Sequence, residues 1–252
     1  MKIIDLNCDM GEIPEEIANG TQESLMPSLT SVNIACGGHA GDEQTMRTTI
    51  GQAQRWNLAI GAHPGYPDRE NFGRLELKMA PQGVSDSIFE QVLTFAKIAS
   101  NENAPVIHVK PHGALYNQAV RDLELAQAIA DGIARWSRKV VLMGLAGSQM
   151  LEVFRKAGFT VAAEAFADRR YEPDGSLRPR KFEDSLLRNP ADAARQALRI
   201  VEQGSVIASD GSEVFLKAQT ICIHGDTPGA QQIAAAVAST LRGAGVQLKP
   251  LG

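Results

Sequence analysis

The chain has 252 residues, a length that suits one α/β domain with a single hydrophobic core. Its 25 basic and 29 acidic side chains are scattered and give a net charge of −4, so no basic stripe points to a nucleic acid partner. No apolar run approaches the ~18 residues that cross a bilayer. The N-terminal residues do not resemble a signal peptide, and the three cysteines form no CxxC pair, so we expect a reduced, cytoplasmic protein.

The first predicted strand, residues 2–8, carries polar side chains on one face. Asp5, Asn7 and Asp9 are spaced by two residues and therefore project to the same side, while the residues between them are apolar. Polar groups on a buried strand are unfavourable unless they bind each other or a ligand. Asp9, at the end of the strand, is therefore a candidate functional residue.

The second and third predicted strands, residues 31–36 and 58–62, each lead into a glycine-rich loop that holds a histidine. Glycines flank His39 on both sides, which indicates tight backbone geometry. His63 begins a loop in which proline and glycine favour a rigid conformation. This loop continues to Arg74, and we expect it to hold both side chains in place.

The fourth predicted strand begins at Val106 and is broken by Pro111, which cannot continue a sheet interior. His108, Lys110 and His112 alternate with apolar residues and are expected on one side of the chain. His108 is interpreted as a buried core histidine. Lys110 and His112 lie where the strand ends, which is where parallel α/β proteins hold their functional residues.

Three further strands are predicted at residues 140–145, 161–165 and 220–223. Polar residues again follow two of them, with Asp168 and Arg169 after the sixth strand and His224 and Asp226 after the seventh. Helices are predicted between the strands by apolar residues at helical spacing. Two helices are expected to begin after the N-cap residues Asp42 and Asn189, and Thr227-Pro228 is expected to cap the start of the last helix.

Regular alternation of strands and helices indicates a parallel sheet. Polar residues from six strands can converge only if the sheet closes on itself. We therefore predict an α/β fold consisting of a single seven-stranded (β/α) barrel over residues 1–252. A doubly wound sheet would carry a GxGxxG or GxxxxGK[ST] phosphate loop, and the sequence contains neither motif.

Two kinds of chemistry fit the residues at the strand ends. One is a divalent-metal site formed by Asp9, His39 and His63, which would polarise a carbonyl or activate water. The other needs no metal: Asp9 or a histidine acts as general base, and Lys110 and Arg74 bind an anion. The residues alone leave both hypotheses open.

Six segments, in order along the whole chain, resemble the LamB/YcsF family: DLNCDMGE (5–12), NIACGGHAGD (33–42), GAHPGYPD (61–68), VKPHGALYN (109–117), AFADR (165–169) and IHGDTPGA (223–230). The resemblance implies the barrel of the glycoside hydrolase/deacetylase superfamily. It also implies the A subunit of an ATP-dependent 5-oxoprolinase, which opens the lactam of 5-oxoproline to L-glutamate with ATP and the partner subunits B and C.

In that scheme ATP activates the lactam carbonyl, Asp9 acts as base toward water, and His63 and His112 transfer protons. The catalytic residues are then Asp9, His63, Lys110 and His112. Binding of the substrate or phosphate is expected from Asn7, Arg74, Asp168, Arg169, His224 and Asp226.

The sequence departs slightly from the family pattern, for example in Leu75 after Arg74. A different lactam as the substrate therefore stays an alternative. Two other functions also stay open. One is a metal-dependent deacetylase or cyclic-amide hydrolase acting alone, and the other is a non-catalytic partner subunit.

Overall fold

The computed structural model describes residues 2–252, which form ten strands and eight α-helices. The strands are β1 (Ile3–Met10), β2 (Ser31–Ala35), β3 (Ala59–His63), β4 (Val106–Val109), β5 (Val141–Leu145), β6 (Thr160–Phe166), β7 (Ser205–Ile207), β8 (Glu213–Phe215), β9 (Thr220–Cys222) and β10 (Gln247–Leu248). The helices are α1 (Pro14–Ala18), α2 (Glu43–Arg55), α3 (Pro81–Asn101), α4 (Gly113–Ala119), α5 (Leu123–Ala134), α6 (Met150–Lys156), α7 (Pro190–Gln203) and α8 (Ala230–Gly243). Two 3-10 helices span Glu23–Ser28 and Glu183–Ser185.

Seven parallel strands close into a barrel in the order β1-β2-β3-β4-β5-β6-β9. Closure occurs because β1 pairs with β2 on one side and with β9 on the other. Asn7 is aligned with Ser31 of β2 and with Cys222 of β9, so it sits at this junction. The predicted seven-stranded (β/α) barrel is confirmed.

Three short strands outside the closed circle were not predicted. β7 and β8 form an antiparallel ribbon, and β10 pairs with the start of β1. Each has only two or three residues. β8 and β10 are partly or fully exposed, and β7 has only two buried residues, so none of the three carries a long apolar run or a clear alternation that would have marked it.

The barrel interior is polar, and the hydrophobic core lies between the barrel and its helices. Along β1, Asp5 and Asn7 are bonded to polar side chains of neighbouring strands, whereas the alternating Leu6 and Cys8 belong to the hydrophobic core. This follows from the strand period of two, which sends successive side chains to opposite faces. The core is completed by apolar faces of the surrounding helices, including Phe95 of α3.

Helix boundaries follow the expected capping chemistry. Asp42 caps α2 by accepting a hydrogen bond from the backbone N–H of Thr45, as predicted. Asn189 caps α7 in the same way, with Pro190 at the first helical position. Over residues 2–252, no helix combines the length and apolar character that crossing a membrane requires.

Candidate active site

A cavity of about 340 Å³ opens at the C-terminal ends of the barrel strands. Its lining includes Asp9, His63, Lys110 and His112 together with Arg74, Arg169, His224 and Asp226. The closed barrel therefore brings together eight of the side chains predicted from the sequence. Asn7 and Asp168 are fully buried and are not among the lining residues.

Asn7 lies beneath the cavity and organises the polar interior of the barrel. Its amide nitrogen donates to Thr220 Oγ1 at 2.7 Å and to Glu164 Oε1 at 3.1 Å. Its amide oxygen accepts from Asn33 Nδ2 at 2.7 Å. Asn7 thus holds other side chains in place, and its contact with substrate or phosphate stays a prediction.

His108 is fully buried in this interior, as its interpretation as a core histidine requires. Its Nε2 lies 2.8 Å from Asn33 Oδ1 and is therefore the protonated nitrogen of a neutral ring. Burial, with the nearby charge of Lys110, lowers its pKa to about 3 and keeps the ring neutral.

Lys110 is a buried cation held between two carboxylates. Its Nζ lies 2.9 Å from Asp9 Oδ1 and 2.9 Å from Glu164 Oε1, with Cys222 Sγ at 3.1 Å. Burial alone would lower the pKa of Lys110, but the negative charge of Asp9 outweighs it and raises the pKa well above its usual value. The ammonium group therefore stays charged and bound to protein groups on several sides.

The Asp9 carboxylate connects Lys110 to the histidines. Oδ1 accepts from Lys110 and from Asn33 Nδ2 at 2.8 Å, and Oδ2 lies 3.3 Å from His63 Nε2. Burial would raise the pKa of Asp9, but the charges of His63 and Lys110 outweigh it and lower the pKa well below the ordinary value. Asp9 is therefore ionised at neutral pH.

Glu12, which the sequence interpretation did not select, lies at the centre of three histidines. Its Oε1 is 2.8 Å from His39 Nε2, 3.2 Å from His112 Nδ1 and 3.8 Å from His63 Nε2. Burial favours the neutral acid, but the charge of His112 and hydrogen bonds from the histidines lower the pKa of Glu12 far below its usual value. The predicted metal set of Asp9, His39 and His63 thus omitted Glu12 and His112, which lie at the centre of the cluster.

The imidazole rings of His39 and His112 stack with their centroids 3.6 Å apart and an angle of 5° between their planes. Burial, with the neighbouring His112, lowers the pKa of His39 to about 3, so this ring is neutral. Glycine is required beside the stack. A Cβ at Gly73, where φ is +62°, would lie 2.7 Å from the Cβ of His39, and one at Gly65 would lie 2.8 Å from its Nδ1.

Asp168 orients His224, which also lines the cavity. The Asp168 carboxylate accepts from His224 Nδ1 at 2.9 Å and from its backbone N–H at 3.0 Å. Burial would raise the pKa of Asp168, but the charge of His224 outweighs it and lowers the pKa. Asp168 is therefore a positioning residue, and His224 is the member of the pair that faces the cavity.

Three arginines give the cavity a positive wall. Arg74 forms an ion pair with Asp226, and Arg180, which was not predicted, lies 3.5 Å from the same carboxylate. Arg169 is nearly buried, donates to the backbone carbonyl of Arg178 at 2.7 Å, and has a pKa lowered to about 10 by burial and by Arg180. This wall suits an anionic group such as a carboxylate or phosphate.

Glu12, Glu164 and Arg180 are the lining or supporting residues that sequence reasoning missed. For Glu164 a signal existed, because it is the single acidic residue in the buried apolar strand VAAEAF (161–166). Glu12 follows Gly11 at the end of β1, inside one of the segments that carry the family resemblance. Arg180 lies in a long polar loop whose path could not be inferred.

Comparison with known proteins agrees with this architecture. The pattern of the LamB/YcsF family matches residues 4–252. A protein of Chloroflexus aggregans, named as the A subunit of 5-oxoprolinase, is 47% identical over 249 residues, which cover 99% of each chain. The crystal structure of a lactam utilization protein from Thermus thermophilus superposes with a TM-score of 0.92 at 40% identity and covers 100% of both chains.

A more distant structure shares only the fold. The family 4 carbohydrate esterase from Streptomyces lividans superposes with a TM-score of 0.50 at 10% identity and covers 100% of this chain and 93% of its own. The likeness to this esterase is therefore one of barrel architecture alone. With a family match over nearly the whole chain, the protein belongs to the LamB/YcsF family.

Proposed function

We propose that this chain is the A subunit of an ATP-dependent 5-oxoprolinase and that it acts with subunits B and C to hydrolyse 5-oxoproline to L-glutamate. The observation that carries this proposal is the match, at 47% and 46% identity over 99% of the chain, to two proteins named as the A subunit of 5-oxoprolinase. The cavity supports it, because its lining combines arginines with ionised carboxylates and histidines.

The substrate is a five-membered lactam that carries a carboxylate. In the proposed complex this carboxylate binds at the arginines, because Arg74 and Arg180 share the single carboxylate of Asp226, are 42% and 32% exposed, and keep N–H donors free for a second anion. Binding there would direct the lactam ring toward the strand ends that carry Asp9 and Lys110. Lys110 is less suited to this role than the sequence interpretation assumed, because Asp9 and Glu164 already occupy its ammonium group.

The reacting carbonyl would then lie near Asp9. A lactam is a stable amide, and in the proposed reaction ATP phosphorylates its carbonyl oxygen and makes the ring carbon more electrophilic. Asp9 accepts a proton from the water that attacks this carbon, while Lys110 and Asn33 hold Asp9 in place through its Oδ1. The C–N bond of the ring then breaks, the nitrogen takes up a proton, and a second water releases phosphate from the resulting acyl phosphate to give glutamate. His63 and His112 complete this wall of the site, with 3.3 Å between Asp9 Oδ2 and His63 Nε2.

The test is release of glutamate from 5-oxoproline by the purified chain, alone and mixed with its B and C partners, with and without ATP. We expect release only in the complete mixture with ATP. No release by a mixture of folded subunits with ATP would contradict the proposal. Because the sequence lacks both nucleotide-binding motifs, the same mixtures also measure how strongly ATP use depends on the partners.

Two variants test the residue assignment within the complete mixture. Asp9→Asn and Lys110→Ala are each expected to lower the rate by at least the ~10²-fold that an acid–base group contributes. Asp131→Asn and Lys156→Ala are matched controls, because these exposed residues of α5 and α6 do not line the cavity. If Asp9→Asn and Lys110→Ala fold and keep full activity, the assignment is wrong.

The cluster of Glu12 and the histidines favours one alternative, a metal-dependent cyclic-amide hydrolase or deacetylase that acts without partners or ATP. The arm of the experiment that contains the chain alone decides between the two functions. Turnover of a lactam or an N-acetyl substrate there, without ATP and abolished by a chelator, would favour the alternative. A complete mixture that keeps its activity when this chain carries Asp9→Asn or Lys110→Ala would fit a non-catalytic partner subunit.

A further inference from the structure

Four elements bring four metal-ligating side chains to one point of the cavity wall. Glu12 follows β1, His39 lies in the loop after β2, His63 ends β3, and His112 follows β4. One nitrogen or oxygen atom of each lies within 4.8 Å of the corresponding atoms of the others. These residues are far apart in sequence, so the barrel itself creates the cluster.

Backbone hydrogen bonds fix the direction in which two of these rings present a lone pair. His63 Nδ1 lies 2.7 Å from the carbonyl oxygen of Lys110, and His112 Nε2 lies 2.9 Å from that of Phe72. A carbonyl oxygen only accepts, so both nitrogens carry the ring proton. A ring that binds a cation gives up any proton on its other nitrogen, so His63 Nε2 and His112 Nδ1 are the atoms that would present lone pairs to an ion.

These two nitrogen atoms face each other at 3.0 Å. Two lone pairs at this distance repel unless a cation or a shared proton lies between or beside them. Glu12 Oε1 is 3.2 Å from the His112 nitrogen and 3.8 Å from the His63 nitrogen, which adds a negative charge to the same point. Anchoring of the outer ring nitrogen by a backbone carbonyl is the usual arrangement of metal-binding histidines.

His39 takes a different place in the cluster. Its Nε2 is 2.8 Å from Glu12 Oε1, while its Nδ1 is buried without a hydrogen-bond partner. If Nε2 bound a cation, the proton would move to Nδ1 and remain buried without an acceptor, which is unfavourable. The better arrangement has the Nε2–H of His39 donating to Glu12 and orienting that carboxylate.

The geometry points to a divalent-metal site of the zinc type, held by His63 Nε2, His112 Nδ1 and the Glu12 carboxylate, with His39 as the outer hydrogen-bond partner of Glu12. Two imidazoles and one carboxylate suit Zn²⁺ and leave a further coordination position free for water or substrate. All three ligand residues line the cavity, so that position faces the space where a substrate binds. A bound ion would supply a Lewis acid there.

Binding of Zn²⁺ to the full chain, freed of any affinity tag and treated with a chelator, tests this site. Calorimetric titration is expected to show one tightly bound equivalent, and Co²⁺ in its place should give the visible absorption of a low-coordinate ion. His63→Gln and His112→Gln should weaken binding by more than the ~10–100-fold that loss of an outer-shell partner causes, and His39→Gln by an amount within that range.

Glu76→Gln is the matched control, since Glu76 lines the same cavity but pairs with Arg121 and lies outside both groups of side chains that could hold a metal. It should bind Zn²⁺ as the unmodified chain does. Glu12→Gln is a conservative second variant at the cavity wall, useful if the histidine variants fail to fold, and it should also weaken binding.

Absence of Zn²⁺ uptake by the unmodified chain would overturn the site and would mean that the two histidines share a proton instead. Unchanged uptake by a folded His63→Gln/His112→Gln double variant would overturn it as well. The titration contains neither substrate, ATP nor partners. Failure to bind metal therefore leaves the oxoprolinase proposal standing, and an inactive oxoprolinase mixture leaves the metal site standing.

Discussion

At the scale of single residues, Lys110 controls the charge balance of the barrel interior. Its side chain is 3% exposed, and its ammonium group is shared between Asp9 and the fully buried Glu164. Removal of one member of a buried ion pair leaves the other members without compensation in a medium that solvates charge poorly. The cation is therefore as important for the fold as for any reaction at the site.

We predict that Lys110→Met lowers the free energy of unfolding by about 3–5 kcal/mol, because two buried carboxylates lose their cation. Urea denaturation followed by circular dichroism measures the change. The surface variant Lys156→Met is the control and should stay within about 0.5 kcal/mol of the unmodified chain.

A second variant separates lost charge pairing from lost packing. In Lys110→Met/Glu164→Gln a neutral amide replaces one of the two carboxylates. The double variant should therefore be more stable than Lys110→Met alone. Equal stability of both variants would mean that Glu164 is not held by the charge of Lys110.

The residues that could be inferred from the sequence share one property. Asp9, His63, Lys110 and His112 each follow or end a strand whose apolar pattern is clear, so their position at the barrel mouth follows from the fold class. No such signal distinguishes Glu12 from the other acidic residues of the loop that follows it. Its role depends on contacts with three histidines that are distant in sequence and meet only in three dimensions.

At the scale of elements, the pairing of β3 and β4 depends on a glycine. Gly61 is aligned with His108, and a Cβ placed at Gly61 would lie 2.0 Å from His108 Nε2. The buried histidine thus occupies the space that a side chain on β3 would need. The register of this pair shifts between Ile60 and Gly61, which accommodates the ring.

We predict that Gly61→Ala destabilises the protein by at least the about 1–3 kcal/mol typical of overpacking, because the His108 ring cannot move without losing its bond to Asn33. Gly51→Ala is the matched control. Gly51 lies within α2, a Cβ there meets nothing within 4 Å, and the exchange should stabilise the helix by up to about 1 kcal/mol.

A double-mutant cycle with His108→Ala tests the cause. If the ring is the obstacle, the destabilisation by Gly61→Ala should largely disappear in the His108→Ala background, giving a coupling energy well above the about 0.5 kcal/mol of independent sites. Additive effects would show that the strain arises elsewhere in β3.

Strands and helix starts were predicted correctly where one physical signal in the sequence dominated. Apolar runs located the seven barrel strands, and Asp42 and Asn189 marked two helix starts by their capping chemistry. Thr227 shows the limit of local reasoning. It lies just before α8, yet its hydroxyl donates to Asp168 at 3.3 Å, and the N-cap position is held by Gly229.

At the scale of the whole molecule, closure of the barrel makes the strands mutually dependent. Each of the seven strands has a partner on both sides, so none can leave without breaking two rows of backbone hydrogen bonds. The prediction of a single domain over residues 1–252 can be tested through this cooperativity.

We expect one unfolding transition in urea with the same midpoint for tryptophan fluorescence and for far-ultraviolet circular dichroism. The two tryptophans report on different places, since Trp56 ends α2 and Trp136 follows α5, whereas circular dichroism reports on all helices. Two separated transitions would contradict a single cooperative unit.

The pairing of β1 with β9, which closes the barrel, also affects when the protein can fold during its synthesis. It joins residues 5–7 to residues 220–222, and the seven-stranded circle closes only through it. On the ribosome the first strand therefore emerges long before its second neighbour has been synthesised, and non-local pairing of this kind is slow. Asp9 and Glu12 emerge with that strand, and the cavity they line with His224 exists only once almost the entire chain has left the exit tunnel. Synthesis that stops early would yield a polypeptide with most of the helices but no complete site.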